Sequence, residues 1–110
     1  MGRFVKGEVV VLPFPFSDLS GSKLRPALVL ADLSGDDIML CQITSQMSPK
    51  DSHAIPLDFK DFQKGALKVP SNIRPNRIFT ADKNIIQKSV GIVDLTVSEK
   101  VVDTIVALIK

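Results

Sequence analysis

Gly7-Glu8-Val9-Val10-Val11-Leu12-Pro13-Phe14-Pro15-Phe16 is the stretch that decides the fold. Glu8 to Leu12 is β-branched and too short for a typical helix, which predicts a strand. Two prolines then take the chain to a sheet edge or out of the sheet, because proline cannot donate to a ladder. Ser17-Asp18-Leu19-Ser20-Gly21-Ser22-Lys23 follows, polar and glycine-containing, and reads as a loop.

Outward from that loop, Arg25-Pro26-Ala27-Leu28-Val29-Leu30-Ala31 is a second strand, with Pro26 holding Arg25 extended. Ser34-Gly35-Asp36-Asp37 turns the chain into a third strand, Ile38 to Thr44, as a hairpin. Ser45 to Ser52 is a polar loop. Short elements follow at Ala54 to Leu57 and Ala66 to Val69, with a linking turn around Lys60 to Gly65, and another strand runs from Arg77 to Ala81. Five or six short strands with irregular connections predict a small closed barrel rather than a parallel βαβ sheet. Thr96-Val97-Ser98-Glu99 matches a capping box. Val97, Val101, Ile105, Leu108 and Ile109 then recur at helical spacing, so a C-terminal helix packs its apolar stripe on the barrel.

The 110 residues suit a single domain, 1–110, and 45% hydrophobic content suffices for an ordinary core. A chain of this size leaves much of its surface exposed, and dimerisation would help it. No apolar run approaches the roughly 18 residues that cross a bilayer. The N-terminus moves straight into a strand pattern without a signal-peptide core. Cys41, the only cysteine, cannot form an intramolecular disulfide, and the cytoplasm is the expected compartment, with no membrane partner.

Net charge is only +2, but its distribution is uneven. Phe62 to Lys88 carries six basic residues (Lys64, Lys68, Arg74, Arg77, Lys83, Lys88) against one acidic, Asp82. That excess fits a solvated face and a phosphate-facing surface about equally. One Cys, one His and no clustered ligand spacing predict no metal site. Glycine-rich phosphate loops and dinucleotide fingerprints are absent, and no nucleophile-elbow pattern accompanies His53. An enzyme built on this chain is expected to work without a cofactor.

The ordered series Gly7 to Phe16, Arg25-Pro26-Ala27-Leu28-Val29-Leu30, Gln42-Ile43-Thr44-Ser45, Gly65 to Leu67 with Ser71, Ile78 to Asp82, then Gly91 and the closing helix resembles the PemK/MazF family of toxin endoribonucleases. The resemblance covers essentially the whole chain, and the string from Arg25 to Leu30 is its most specific part. It implies an SH3-like barrel of five to seven short strands, of the CcdB/MazF type, with a C-terminal helix. It also implies a homodimer that cuts single-stranded RNA at short sequences without metal. A cognate antitoxin would neutralise it, and such toxin–antitoxin complexes bind DNA. Carried over by position, the catalytic residues are Arg25 and Thr44.

Those residue types suit the chemistry. When a 2′-hydroxyl attacks the neighbouring phosphorus, negative charge builds on the phosphoryl oxygens, and a guanidinium grips two of them at once. Charge stabilisation of this kind is commonly the largest catalytic contribution. The alternative for Arg25 is a strand-edge pair with a carboxylate such as Asp18, and for Thr44 an ordinary β-branched strand end. His53 is the competing acid–base candidate, having the one side chain whose ordinary pKa lies near neutrality. Phe16, Lys23, Ser45, Gln46, Ser71 and Arg74 are further candidates for RNA contact, through phosphates or by stacking. For Phe16 and Phe79 a core position is the stronger expectation, and Cys41 reads as a small buried hydrophobe.

Many relatives carry an acidic residue in the loop before the second strand, where this chain has Ser22, Lys23 and Leu24. If that carboxylate aids proton transfer, this protein is slower or recruits Asp18 or His53. Two other readings follow: a non-catalytic barrel that binds a protein, as gyrase-poisoning toxins of the CcdB fold do, or a member that binds RNA or antitoxin without cutting. The tryptophan at the C-terminus of the gyrase poisons is missing here.

Overall fold

A computed structural model describes residues 4–14, 23–46 and 52–110. Among these residues, seven strands, β1 (Glu8–Pro13), β2 (Leu24–Asp32), β3 (Asp37–Thr44), β4 (Ile55–Leu57), β5 (Phe62–Gly65), β6 (Ser71–Asp82) and β7 (Lys88–Val93), precede one α-helix, α1 (Leu95–Ile109). They form one antiparallel sheet in the order β4-β6-β3-β2-β1-β7-β5, curled into a half-barrel. The mainly β fold with a C-terminal helix is the one expected from the sequence. Register shifts between Val9 and Val10, Val29 and Ala31, and Cys41 and Gln42 help the sheet curl.

The apolar runs in β1 and β2 are near-continuous because both sheet faces are covered. Val9, Leu28, Cys41, Ile43, Ile73 and Val93 point to one side and pack with Val101 of the helix. Val10, Leu12, Phe14, Ala27, Val29, Ile38, Leu40 and Phe79 form a second cluster. Cys41 is fully buried, and burial pushes its thiol up to about 12.

Four local expectations need correction. The predicted strand Ala66 to Val69 is not one; β5 lies just before it, where a turn was expected. Strand β7, with its central Gly91, went unpredicted because its apolar alternation is broken. That glycine is required there: a Cβ on it would lie 2.4 Å from the Lys64 carbonyl oxygen. Strand β6 runs from Ser71 rather than Arg77, and Pro75 inside it disguised the run. The ladder pairs Cys41 with Ile78 but Gln42 with Arg74, so Pro75, Asn76 and Arg77 bulge out of register. Proline has no N–H to contribute there, which suits the bulge.

The helix also starts earlier than the capping-box pattern suggested. Its N-cap is Asp94, without a side-chain cap, and the Val97 and Ser98 N–H groups donate to the Asp94 carbonyl. Asp94 is fixed by its own N–H donating to the Asp61 carbonyl at 2.8 Å, so the helix begins directly from β7. A capping box does form elsewhere, between Asp58 and Asp61 around the turn Phe59–Asp61. Val97, Val101 and Ile105 face the core as expected, whereas Leu108 and Ile109 are 40% and 79% exposed. The last turn runs past the apolar cluster that holds the rest of the stripe.

Candidate functional site

The second apolar cluster changes character at one end of the sheet. On β3, Ile38 and Leu40 are fully buried, but Gln42 and Thr44, the next residues of the same face, are half-buried and polar. On β2 the buried Val29 and Ala27 give way to Arg25 in the same way. Ala27 pairs with Gln42, and Arg25 and Thr44 each lie two residues further along toward the same end of the sheet. On the other side Gln42 pairs with Arg74 of β6.

These residues line an open cavity of about 500 Å³. Arg25, Gln42, Thr44, Gln46 and Arg74 form part of its wall, and the β6 bulge adds Asn76 and Arg77. Phe14 and Phe79 meet edge to face beneath it, with ring centroids 5.1 Å apart, and Ile78 completes the apolar part. Three guanidinium groups thus surround a concave surface with three carboxamides and one hydroxyl. Among the described lining residues there is neither a carboxylate nor an imidazole.

Thr44 is oriented locally. Its Oγ1 accepts the Gln46 N–H at 3.1 Å, which leaves the hydroxyl proton available to donate toward the cavity. Arginines and hydroxyls converging in a partly enclosed hollow make an anion site, and aromatic and carboxamide groups beside them suit a nucleobase.

Of the residues singled out from the sequence, Arg25, Thr44, Gln46 and Arg74 come together in this cavity. Lys23 and Ser45 are exposed immediately beside Arg25 and Thr44 but do not line it. Ser71 is buried, and its hydroxyl donates to the Val69 carbonyl at 3.1 Å, an internal structural bond. His53 sits exposed in the turn before β4 and is not part of the wall. Phe16 and Asp18 lie outside the described residues. Sequence reasoning missed Gln42, Asn76 and Arg77 as lining groups. Only a correct placement of the Pro75 bulge could have found the last two.

A family model described as "PemK-like, MazF-like toxin of type II toxin-antitoxin system" matches residues 5–109. No curated protein matches the sequence. Among solved structures, an endoribonuclease in complex with its cognate antitoxin from a mycobacterial species superposes with a TM-score of 0.74 at 12% identity, covering 96% of this chain and 93% of that one. The MazE–MazF complex (Form-III) of Deinococcus radiodurans gives 0.73 at 20% identity, covering 94% and 92%. The Mycobacterium tuberculosis toxin MazF-mt6 gives 0.68 at 16% identity, covering 89% and 91%. Among the described residues, no helix is long and apolar enough to cross a membrane.

Proposed function

The chain belongs to the PemK-like, MazF-like toxins of type II toxin–antitoxin systems, and from that premise we propose that it is a metal-independent, sequence-specific endoribonuclease acting on single-stranded RNA. The observation that carries this reading is the convergence of Arg25, Thr44 and Arg74, from three different strands, on one cavity floored by Phe14 and Phe79.

The scissile phosphate sits against Arg25. Its guanidinium donates to two phosphoryl oxygens while the 2′-hydroxyl, releasing its proton to water in the open cavity, bonds to phosphorus and the 5′-oxygen leaves, taking up a proton from water. A 2′,3′-cyclic phosphate and a 5′-hydroxyl end result. Thr44 donates its hydroxyl proton to the same phosphate. Unpaired bases on either side lie over the aromatic floor and against the carboxamides. The toxin works as a homodimer, and a cognate antitoxin inhibits it by laying an acidic segment across the same basic surface. A monomer by light scattering at micromolar concentration counts against the dimer.

The test is cleavage of a long single-stranded RNA in EDTA by wild type, Arg25→Ala, Arg25→Lys and His53→Ala. Wild type cuts at discrete sites. Arg25→Ala loses about 10²- to 10³-fold in rate, and lysine, lacking the planar fork, does not restore it. His53→Ala retains activity. Inverting the two alanine results keeps the reaction and moves the acid–base role to His53. A second reading, binding of RNA without cutting, draws on the lack of a carboxylate or imidazole among the described lining residues. Folded wild type that retains RNA yet leaves it intact establishes that reading instead.

A further inference from the structure

Gln42 is one of three carboxamide-bearing lining residues that add no charge to the anion site. It lies toward the C-terminal end of β3, a strand hydrogen-bonded on both sides, directly after the fully buried Leu40 of the same face. Being uncharged, it adds nothing to phosphate attraction, and Arg25, Arg74 and Arg77 already supply three positive charges to the wall. What it does add is an adjacent donor and acceptor, the pairing pattern of a nucleobase edge. Its neighbour across β2 is Ala27, whose methyl leaves room, and across β6 it is Arg74. Directly paired residues hold their Cβ atoms about 5 Å apart. A carboxamide and a guanidinium are therefore presented side by side.

That combination is selective. A carboxamide alone suits several bases, because its oxygen accepts and its nitrogen donates. The guanidinium has donors only, so the pair together offers more donors than acceptors. A carbonyl edge matches this: uracil O4 with N3–H, or guanine O6 with N1–H. On adenine and cytosine the exocyclic group at the same place is an amine, whose N–H faces the donors of the arginine where a carbonyl oxygen would accept from them. We propose that Gln42, with Arg74 beside it, reads the carbonyl edge of an unpaired uracil or guanine seated next to the phosphate at Arg25. This rests on the RNA-cleaving reading above and adds to it the residue that sets base preference.

The test separates base reading from phosphate holding. Binding of 2′-O-methyl oligonucleotides, which cannot undergo 2′-hydroxyl attack, is followed by fluorescence anisotropy in EDTA. Each position of an adenosine background is replaced in turn by U, G or C. Wild type prefers U or G at one position, by roughly 5- to 150-fold, and the separate U and G arms say which. Gln42→Met, of similar length without the amide, flattens that preference and keeps the salt dependence of binding. Arg74→Ala lowers affinity and changes the preference at the same position.

Circular dichroism confirms that each variant is folded before it is scored. An unchanged preference in folded Gln42→Met overturns the inference while leaving the ribonuclease reading intact. A wild type that prefers an amino base overturns it as well. Wild type that neither binds nor cuts RNA overturns both.

Discussion

Gly65 and Gly91 face one another across the β5–β7 ladder, and neither tolerates a side chain. A Cβ on Gly91 would lie 2.4 Å from the Lys64 carbonyl oxygen, about 1 Å inside ordinary van der Waals contact at 3.4 Å. On Gly65 it would lie 2.0 Å from the Val90 carbonyl oxygen, and the residue is also left-handed, at φ +69°. The obstacles are backbone atoms, which cannot rotate away, so the strands must separate. Gly91→Ala is therefore expected to cost about 1–3 kcal/mol, the usual range for forced overpacking. Gly65→Ala carries that cost plus about 1–2 kcal/mol for a non-glycine residue in the left-handed region. Urea unfolding followed by circular dichroism measures both. Because no residue of β5 or β7 lines the cavity, RNA cleavage per folded molecule should stay at the wild-type rate. A loss below 0.5 kcal/mol for both variants (~0.5 marks an ordinary surface substitution) would refute the reasoning. So would a greater loss in Gly91→Ala than in Gly65→Ala.

Thr44→Val removes one hydrogen bond to a charged group and should slow cleavage about 10- to 100-fold, while Thr44→Ser stays near wild type; single-turnover rates decide. Lys83 forms an ion pair with Asp32 and donates to the Leu33 and Gly35 carbonyls at 3.1 and 2.9 Å. Lys83→Met should lower stability by about 1.5–3 kcal/mol without changing RNA affinity, read by urea titration and anisotropy. The Cys41 thiol is raised from 9.0 to about 12 in the fold, so the protein should resist iodoacetamide at pH 8 until urea unfolds it. Since the folded value is the higher one, the stability linked to Cys41 is complete below pH 9 and is lost as pH rises from about 9 toward 12. Cys41→Ala should show less of that decline in urea titrations across the same range.

The sequence by itself determined what local periodicity and residue chemistry can determine. The β-branched runs of β1, β2 and β3 and the helical recurrence of Val97, Val101 and Ile105 follow from how apolar side chains meet a pleated face or a helix stripe. The ordered motifs from Gly7 to Gly91 were enough for the family. Arg25, Thr44, Gln46 and Arg74 were legible one by one as phosphate- or base-suited groups. Tertiary structure alone decided that these four share a cavity, since that depends on cross-strand register between β2, β3 and β6. Register also produced the Pro75 bulge that brings in Asn76 and Arg77, and it set Gln42 against Arg74. It placed His53 away from the wall and turned Ser71 inward to the Val69 carbonyl. Strand β7 was hidden because Gly91 is demanded by the close approach of the Lys64 carbonyl, a contact between backbones 27 residues apart. Leu108 and Ile109 kept the helical spacing of the buried stripe yet remained exposed, because periodicity fixes which face a residue occupies. How far the packed surface extends along that face is set by the other elements of the fold.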